Sequence, residues 1–170
     1  IWNIYSGTYR NLVITSVGGS QNIANLNLLG TLSGNGSLVV SSSVSGSGRV
    51  VGGELSVTYG ESVLSGFLGG TYKNLSINGS GDKVISNNIT VLENTYAMGT
   101  FTGSGNLEFG GLVQGTATFG TADSIYTGTV TYSAESISGR TSQMVYGGNY
   151  SSLIFSGLAK TVDSNLTAGH

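Results

Sequence analysis

The sequence predicts an all-β fold of the β-solenoid type, and three observations carry that prediction. Apolar residues alternate with polar ones at a period of two, which places them on one face of a strand. Gly, Ser and Asn recur between these runs, and they are the residues that tight turns demand. One phrase is also written three times: GTYRNLVI from Gly7 to Ile14, GTYKNLSI from Gly70 to Ile77, and GNYSSLIF from Gly148 to Phe155. A phrase that recurs along a chain marks a structural unit that stacks on its own copies. Helices are not expected, because windows with helical periodicity are interrupted by glycine or by runs of β-branched and hydroxyl residues. An immunoglobulin-like β-sandwich of pilin type, completed by a donor strand, is the alternative. Its strands are longer, with turns spaced by about 8–12 residues, whereas the apolar pairs near residues 12, 26, 38, 50 and 57 are more crowded.

In chain order, the alternating pairs are Leu12/Ile14, Leu38/Val40, Leu55/Val57/Tyr59, Leu75/Ile77, Ile89/Val91, Leu107/Phe109, Val130/Tyr132 and Leu153/Phe155. Each predicts a short strand with one buried side. Between them stand GGS, GNGS, SGSG, NGSGD and GSGN, whose glycines supply the positive-φ positions of turns. The repetition extends beyond the opening phrase. GTLSGNGSLVV (Gly30 to Val40) matches GTFTGSGNLEF (Gly99 to Phe109), and VTYGESVLSG (Val57 to Gly66) matches VTYSAESISG (Val130 to Gly139). Residues 1–170 therefore read as one all-β region with internal repeats at about 7–69, 70–147 and, in part, 148–170. Extra sequence near ENTYAMG and RTSQMVYGG reads as loop insertions. If the units stack in register, Leu12, Leu75 and Leu153 occupy equivalent inward positions. Tyr9, Tyr72 and Tyr150 then stack as a core or edge column, in preference to an exposed row on which sugars stack, and Asn11 and Asn74 belong to an amide ladder that Ser152 interrupts.

Composition narrows the function classes. Charged residues make up 8% of the chain against the usual quarter or so, yet 38% of residues are apolar, too many for a disordered segment. Six Lys and Arg, scattered through a chain of net charge −2, make no basic face for nucleic acid. No apolar run is long enough for a membrane-spanning helix. The opening IWNIYSG lacks the basic and apolar regions of a leader, so the chain reads as a mature form or an excised segment. There is no cysteine, and the one histidine, His170, is the last residue. Disulfides, zinc sites and a Ser-His-Asp arrangement are therefore not expected.

The eight carboxylates, Glu54, Glu61, Asp82, Glu93, Glu108, Asp123, Glu135 and Asp163, form no local cluster of the kind that acid–base catalysis uses. NGSGDK has the flavour of a calcium-binding nonapeptide only once. GSGNLEFGG and SGSGRVVGG resemble phosphate loops without the following Lys-Ser/Thr. No catalytic residue, cofactor or metal site is assigned on these grounds.

Two sets of residues are candidates for function. Six Asn-x-Ser/Thr sequons, at Asn35, Asn74, Asn78, Asn88, Asn149 and Asn165, are acceptors for N-glycosylation if the chain is exported. Apolar residues near the two ends, Ile1, Trp2 and Ile4 on one side and Leu153, Phe155 and Leu158 on the other, are candidate subunit contacts.

The stretch GTYKNLSINGSGDK (Gly70 to Lys83) resembles the tandem repeats of bacterial cell-surface adhesins and haemagglutinin-like proteins. The hydroxyl-rich, charge-poor composition is also similar to that of pilin-like filament subunits. The resemblance implies an extracellular, cell-surface, non-enzymatic protein. The expectation is a structural or adhesive part of a filament that assembles head to tail with its own copies, supports attachment and contacts surface glycans. A glycan-binding module or a polysaccharide-active β-solenoid enzyme is the alternative.

Overall fold

The computed structural model describes residues 2–15, 19–162 and 165–168, so Ile1, Asp163 and His170 lie outside the described residues. The chain is all-β, wound into about eight turns of a solenoid of parallel strands. Eighteen strands run from β1 (Trp2–Asn3) and β2 (Gly7–Ile14) through β3 (Gln21–Gly34), β4 (Ser37–Ser45), β5 (Arg49–Val50), β6 (Ser56–Tyr59), β7 (Gly69–Ile77) and β8 (Asp82–Ile85). They continue with β9 (Ile89–Ala97), β10 (Thr100–Gly103), β11 (Leu107–Phe109), β12 (Leu112–Gly115), β13 (Thr118–Phe119) and β14 (Tyr126–Tyr132). The last four are β15 (Ser142–Val145), β16 (Gly147–Phe155), β17 (Ala159–Val162) and β18 (Leu166–Ala168).

All the inter-strand pairings between these strands are parallel, and a regular coil takes about eighteen residues, as in Asp82↔Thr100, Ile89↔Leu107 and Asn94↔Leu112. Each coil contributes a rung to three ladders. In one coil these rungs are Ile89–Val91, then Asn94–Ala97, then Thr100–Gly103, paired to three different strands of the next coil. We call them ladders one, two and three. Inward side chains stack as columns. Along ladder one the column runs Leu12, Leu32, Val50, Gly70, Ile89, Leu107, Val130, Leu153. Along ladder two it runs Leu38, Val57, Leu75, Thr95, Val113. The alternating pairs between the outermost coils are thus the core, with Leu38, Val40, Tyr59, Val91 and Val130 fully buried, whereas Leu12 and Leu153 are half-buried and Phe155 is exposed on the end coils. Period-two strands 4.7–4.9 Å apart leave no other way to bury that face.

The repeated phrase proves to encode a corner rather than a fixed column. In β2, β7 and β16 the strand crosses from one ladder to the next at the residue after Tyr, where the register shifts: Tyr9/Asn11, Tyr72/Asn74, and Tyr150/Ser152 opposite Tyr126/Thr129. The first and third copies turn at the same corner, so Leu12 and Leu153 share a column. The second copy turns at the next corner, which puts Gly70 in that column and Leu75 in the column of Leu38 and Val57. The expected equivalence of Leu12, Leu75 and Leu153 is corrected accordingly. The cause is that one coil has several similar bends, and a short polar residue after an inward Tyr suits each of them. Asn11 and Asn74 do act alike locally: each side-chain oxygen accepts the backbone N–H of the next coil, from Thr31 at 3.0 Å and from Asn94 at 3.1 Å.

Two coils exceed the regular length. Val130 lies 23 residues beyond its partner Leu107, and Leu153 another 23 beyond Val130. The additional residues form the turns 120–125 and 133–141, closed by the bridges Thr121↔Ser124 and Ile137↔Arg140. Here ladder two breaks between β12 and β15, and β15 pairs with β17 in a separate two-stranded sheet. Buried side chains bridge the gap. Gln143 donates its amide to the carbonyls of Phe109 (2.8 Å) and Gly111 (2.7 Å) and accepts from Ala134 N–H (3.2 Å), while the Tyr146 hydroxyl donates to Gln114. Ladder three breaks earlier, over residues 60–66, where no strand forms. There the buried Lys83 amine donates to the carbonyls of Glu61 (3.1 Å) and Val63 (3.2 Å).

Candidate functional site

The candidate contact residues lie on the outermost coils. Trp2 is 66% exposed on β1 and Phe155 48% exposed at the end of β16, whereas Ile4, Leu153 and Leu158 are half-buried. Tyr5 and Val13 near the first coil and Ile154 and Val162 near the last extend the apolar surface. Val13 and Ile154 are outward positions of their strands, whereas Val162 stands in register with buried Val145 and is exposed because it lies on the last coil.

The three ladders end in matching order. The first coil offers β1 on ladder two, Gly7–Tyr9 on ladder three and Asn11–Ile14 on ladder one. The last offers Ser152–Phe155 on ladder one, β17 on ladder two and β18 on ladder three. Each is a parallel strand edge with backbone donors and acceptors along it, a template for pairing with another strand.

The sequons are scattered over the flanks. Asn35, Asn88 and Asn165 are exposed, whereas Asn74, Asn78 and Asn149 are half-buried. The Asn74 amide nitrogen donates to Ser56 Oγ (2.9 Å) and that of Asn149 to the Thr121 carbonyl (2.5 Å), so modifying either nitrogen would cost an existing bond.

The tyrosines of the repeated phrase point inward. Tyr72 and Tyr150 are buried and Tyr9 packs against the core, so they make no exposed stacking row. Their hydroxyls find partners, as buried phenols must. Tyr72 donates to Leu68 (2.5 Å) and lies 2.9 Å from the Tyr59 hydroxyl; Tyr150 donates to Tyr146 (2.6 Å) and Tyr126 to Gly105 (2.5 Å). Burial pushes Tyr59 up to about 12, against its hydrogen bonds from Tyr72 and Leu68, and likewise raises Tyr72, Tyr126, Tyr132, Tyr146 and Tyr150 above the usual phenol value. Burial lowers Lys83, with the Glu61 charge opposing.

Glu54, Glu61, Asp82, Glu93, Glu108, Asp123 and Glu135 are all exposed. Among the described residues, no group of three or more His, Cys, Asp or Glu could hold a metal ion. Of five surface grooves, one contains Glu93, another Glu108, and none contains two carboxylates. No helix of the described residues is long and apolar enough to cross a membrane. No protein-family model, no curated protein and no solved structure matches the chain.

Proposed function

We propose that the chain is a non-enzymatic structural and adhesive part of an extracellular, cell-surface filament, assembling head to tail with its own copies and supporting attachment. The observation that carries this reading is the matching order of the strand edges on the outermost coils. Stacking one copy on another would pair Ser152–Phe155 with Asn11–Ile14, β17 with β1, and β18 with Gly7–Tyr9. It would carry the Leu12-to-Leu153 column across the junction and cover Trp2 and Phe155. Such a contact is heterologous and does not close on itself, so it propagates as a fibre. The scattered, exposed carboxylates and the hydroxyl-rich, charge-poor exterior favour a structural role over hydrolysis, and Asn35, Asn88 and Asn165 are the sequons best placed for glycans.

Electron microscopy of the purified chain tests the assembly: filaments are expected, and deletion of residues 1–8 should leave a folded chain that no longer forms them. Normal filaments from the deletion variant would refute the contact. For the chemistry, Asp82→Asn and Glu108→Gln should leave attachment unchanged. Glycan cleavage abolished by either change would overturn the non-enzymatic reading.

A further inference from the structure

The turn 133–141 does more than lengthen a coil. It overhangs the bend of two coils and forms one wall of an open cleft of about 360 Å³, with Leu92, Glu93, Asn94, Gly110, Gly111 and Leu112 on one side and Ser136, Ile137 and Ser138 on the other. This volume falls at the low end of the 300–1,000 Å³ typical of small-ligand sites. Insertions in solenoids collect on the faces that bind, and a loop held on a rigid frame is where recognition is built.

The cleft is held in place from beneath. Gln143 ties the base of the turn, through Ala134 N–H, to the carbonyls of Phe109 and Gly111 in the coil below. Leu158 N–H adds a bond to the Ala134 carbonyl at 2.7 Å, and Arg140 N–H closes the turn onto Ile137 at 3.0 Å. The close stacking of the two coils here requires glycine at 111, where a Cβ would lie 1.8 Å from the Glu93 carbonyl oxygen.

The lining chemistry selects the ligand. Leu92, Leu112 and Ile137 give an apolar surface. Asn94 spends its backbone N–H and one side-chain N–H on Asn74 Oδ1, at 3.1 and 2.7 Å, which leaves its second amide N–H and its own Oδ1. With the Glu93 carboxylate and two serine hydroxyls, the cleft offers donors and acceptors side by side, a set that hydroxyls, which both donate and accept, can use. A compact ligand with an apolar face and many hydroxyls matches this set, which is the description of a pyranose ring. The Lys73 ammonium sits 3.9 Å from Glu93 Oε1, so the charges beside the cleft offset one another and favour neither an anionic nor a cationic ligand.

The geometry points to a binding site for a neutral oligosaccharide in the cleft beneath the turn 133–141. The inference rests on the attachment role proposed above, of which it names the ligand and the place. The site lies on the flank of the stack rather than on its outermost coils, so sugar binding and filament assembly separate experimentally.

Isothermal titration of the 170-residue chain with cellotetraose, chitotetraose, mannotetraose, trigalacturonate and tetralysine is the test. Saturable binding of at least one neutral tetrasaccharide is expected, with none of trigalacturonate or tetralysine. Glu93→Gln or Ile137→Ser, with circular dichroism unchanged, should weaken that binding by about tenfold, the loss of one hydrogen bond or apolar contact. Filaments should persist in both variants. Failure of all three neutral sugars, equal binding of trigalacturonate or tetralysine, or unaltered binding in both variants would overturn the site while leaving the filament reading intact. Sugar binding by a chain that forms no filaments would overturn the assembly and leave the site intact.

Discussion

Lys83 and Gln143 stand at inward positions where the ladders break, and they supply the hydrogen bonds that a missing strand would have made. A buried carbonyl without a donor costs about 1–3 kcal/mol. Lys83→Met and Gln143→Leu should therefore each lower the urea midpoint clearly, whereas Lys73→Met, at a loose exposed pair, should cost under about 1 kcal/mol. Neither buried residue is distinguishable in the sequence: Lys83 reads as the end of a turn and Gln143 as part of an insertion. Only the absence of strand from residues 60–66 and the break beside β15 give them their partners. The phenols make a pH prediction. Tyr59 and its buried companions have native values above the ordinary 10.0, so the unfolded chain loses their protons first as the solution becomes alkaline. Stability from this source is complete below pH 10 and falls as pH rises through the native values. Lys83 acts oppositely: its lowered value penalises the native state at neutral pH, and the penalty fades as pH approaches 10.5. Lys160, also lowered by burial, acts in the same sense as Lys83, and the two lysines are outweighed by six phenols, so urea midpoints should fall steeply above pH 10 together with the appearance of tyrosinate absorbance.

At the scale of the element, identical letters meet different surroundings. Leu75 and Leu153 hold the same place in their phrases, yet Leu75 is 2% exposed in the middle of the stack and Leu153 is half-buried on the last coil. Leu75→Ala should cost about 2–5 kcal/mol as a cavity, and Leu153→Ala distinctly less, by chemical denaturation. Gly70 heads the second copy of the phrase with φ of +118°, and a Cβ there would lie 2.0 Å from the Val50 carbonyl. Gly70→Ala should destabilise more than Gly7→Ala, because the Gly7 position leaves 3.8 Å to its nearest neighbour.

The molecule as a whole is nearly one-dimensional, since each coil touches chiefly its neighbours and stability is a sum of coil and interface terms. Opening should start at the outermost coils, which have a partner on one side only. Hydrogen exchange should therefore be slowest in β7 and β9, paired on both sides in mid-stack, and fastest in β1 and β18. Exchange in β18 as slow as in β9 at filament-forming concentration, and fast on dilution, would report the head-to-tail contact directly.

The sequence by itself determined the all-β class and the strands that carry the alternating apolar pairs, because a period of two together with glycine-marked turns is local information; ENTYAMG and RTSQMVYGG read as loops, where β9 in fact continues to Ala97 and β15 runs from Ser142 to Val145. It also determined that the phenols of Tyr72 and Tyr150 belong to the core. Tertiary structure decided the coil length, the number of ladders and which copy of the phrase stacks on which, because a corner can be written in the same letters wherever it falls on the coil. It also decided the partners of Lys83 and Gln143 and the cleft beside Glu93, Gly111 and Ile137. Those groups lie 18 residues or more apart in sequence, and only the pitch of the winding brings them together.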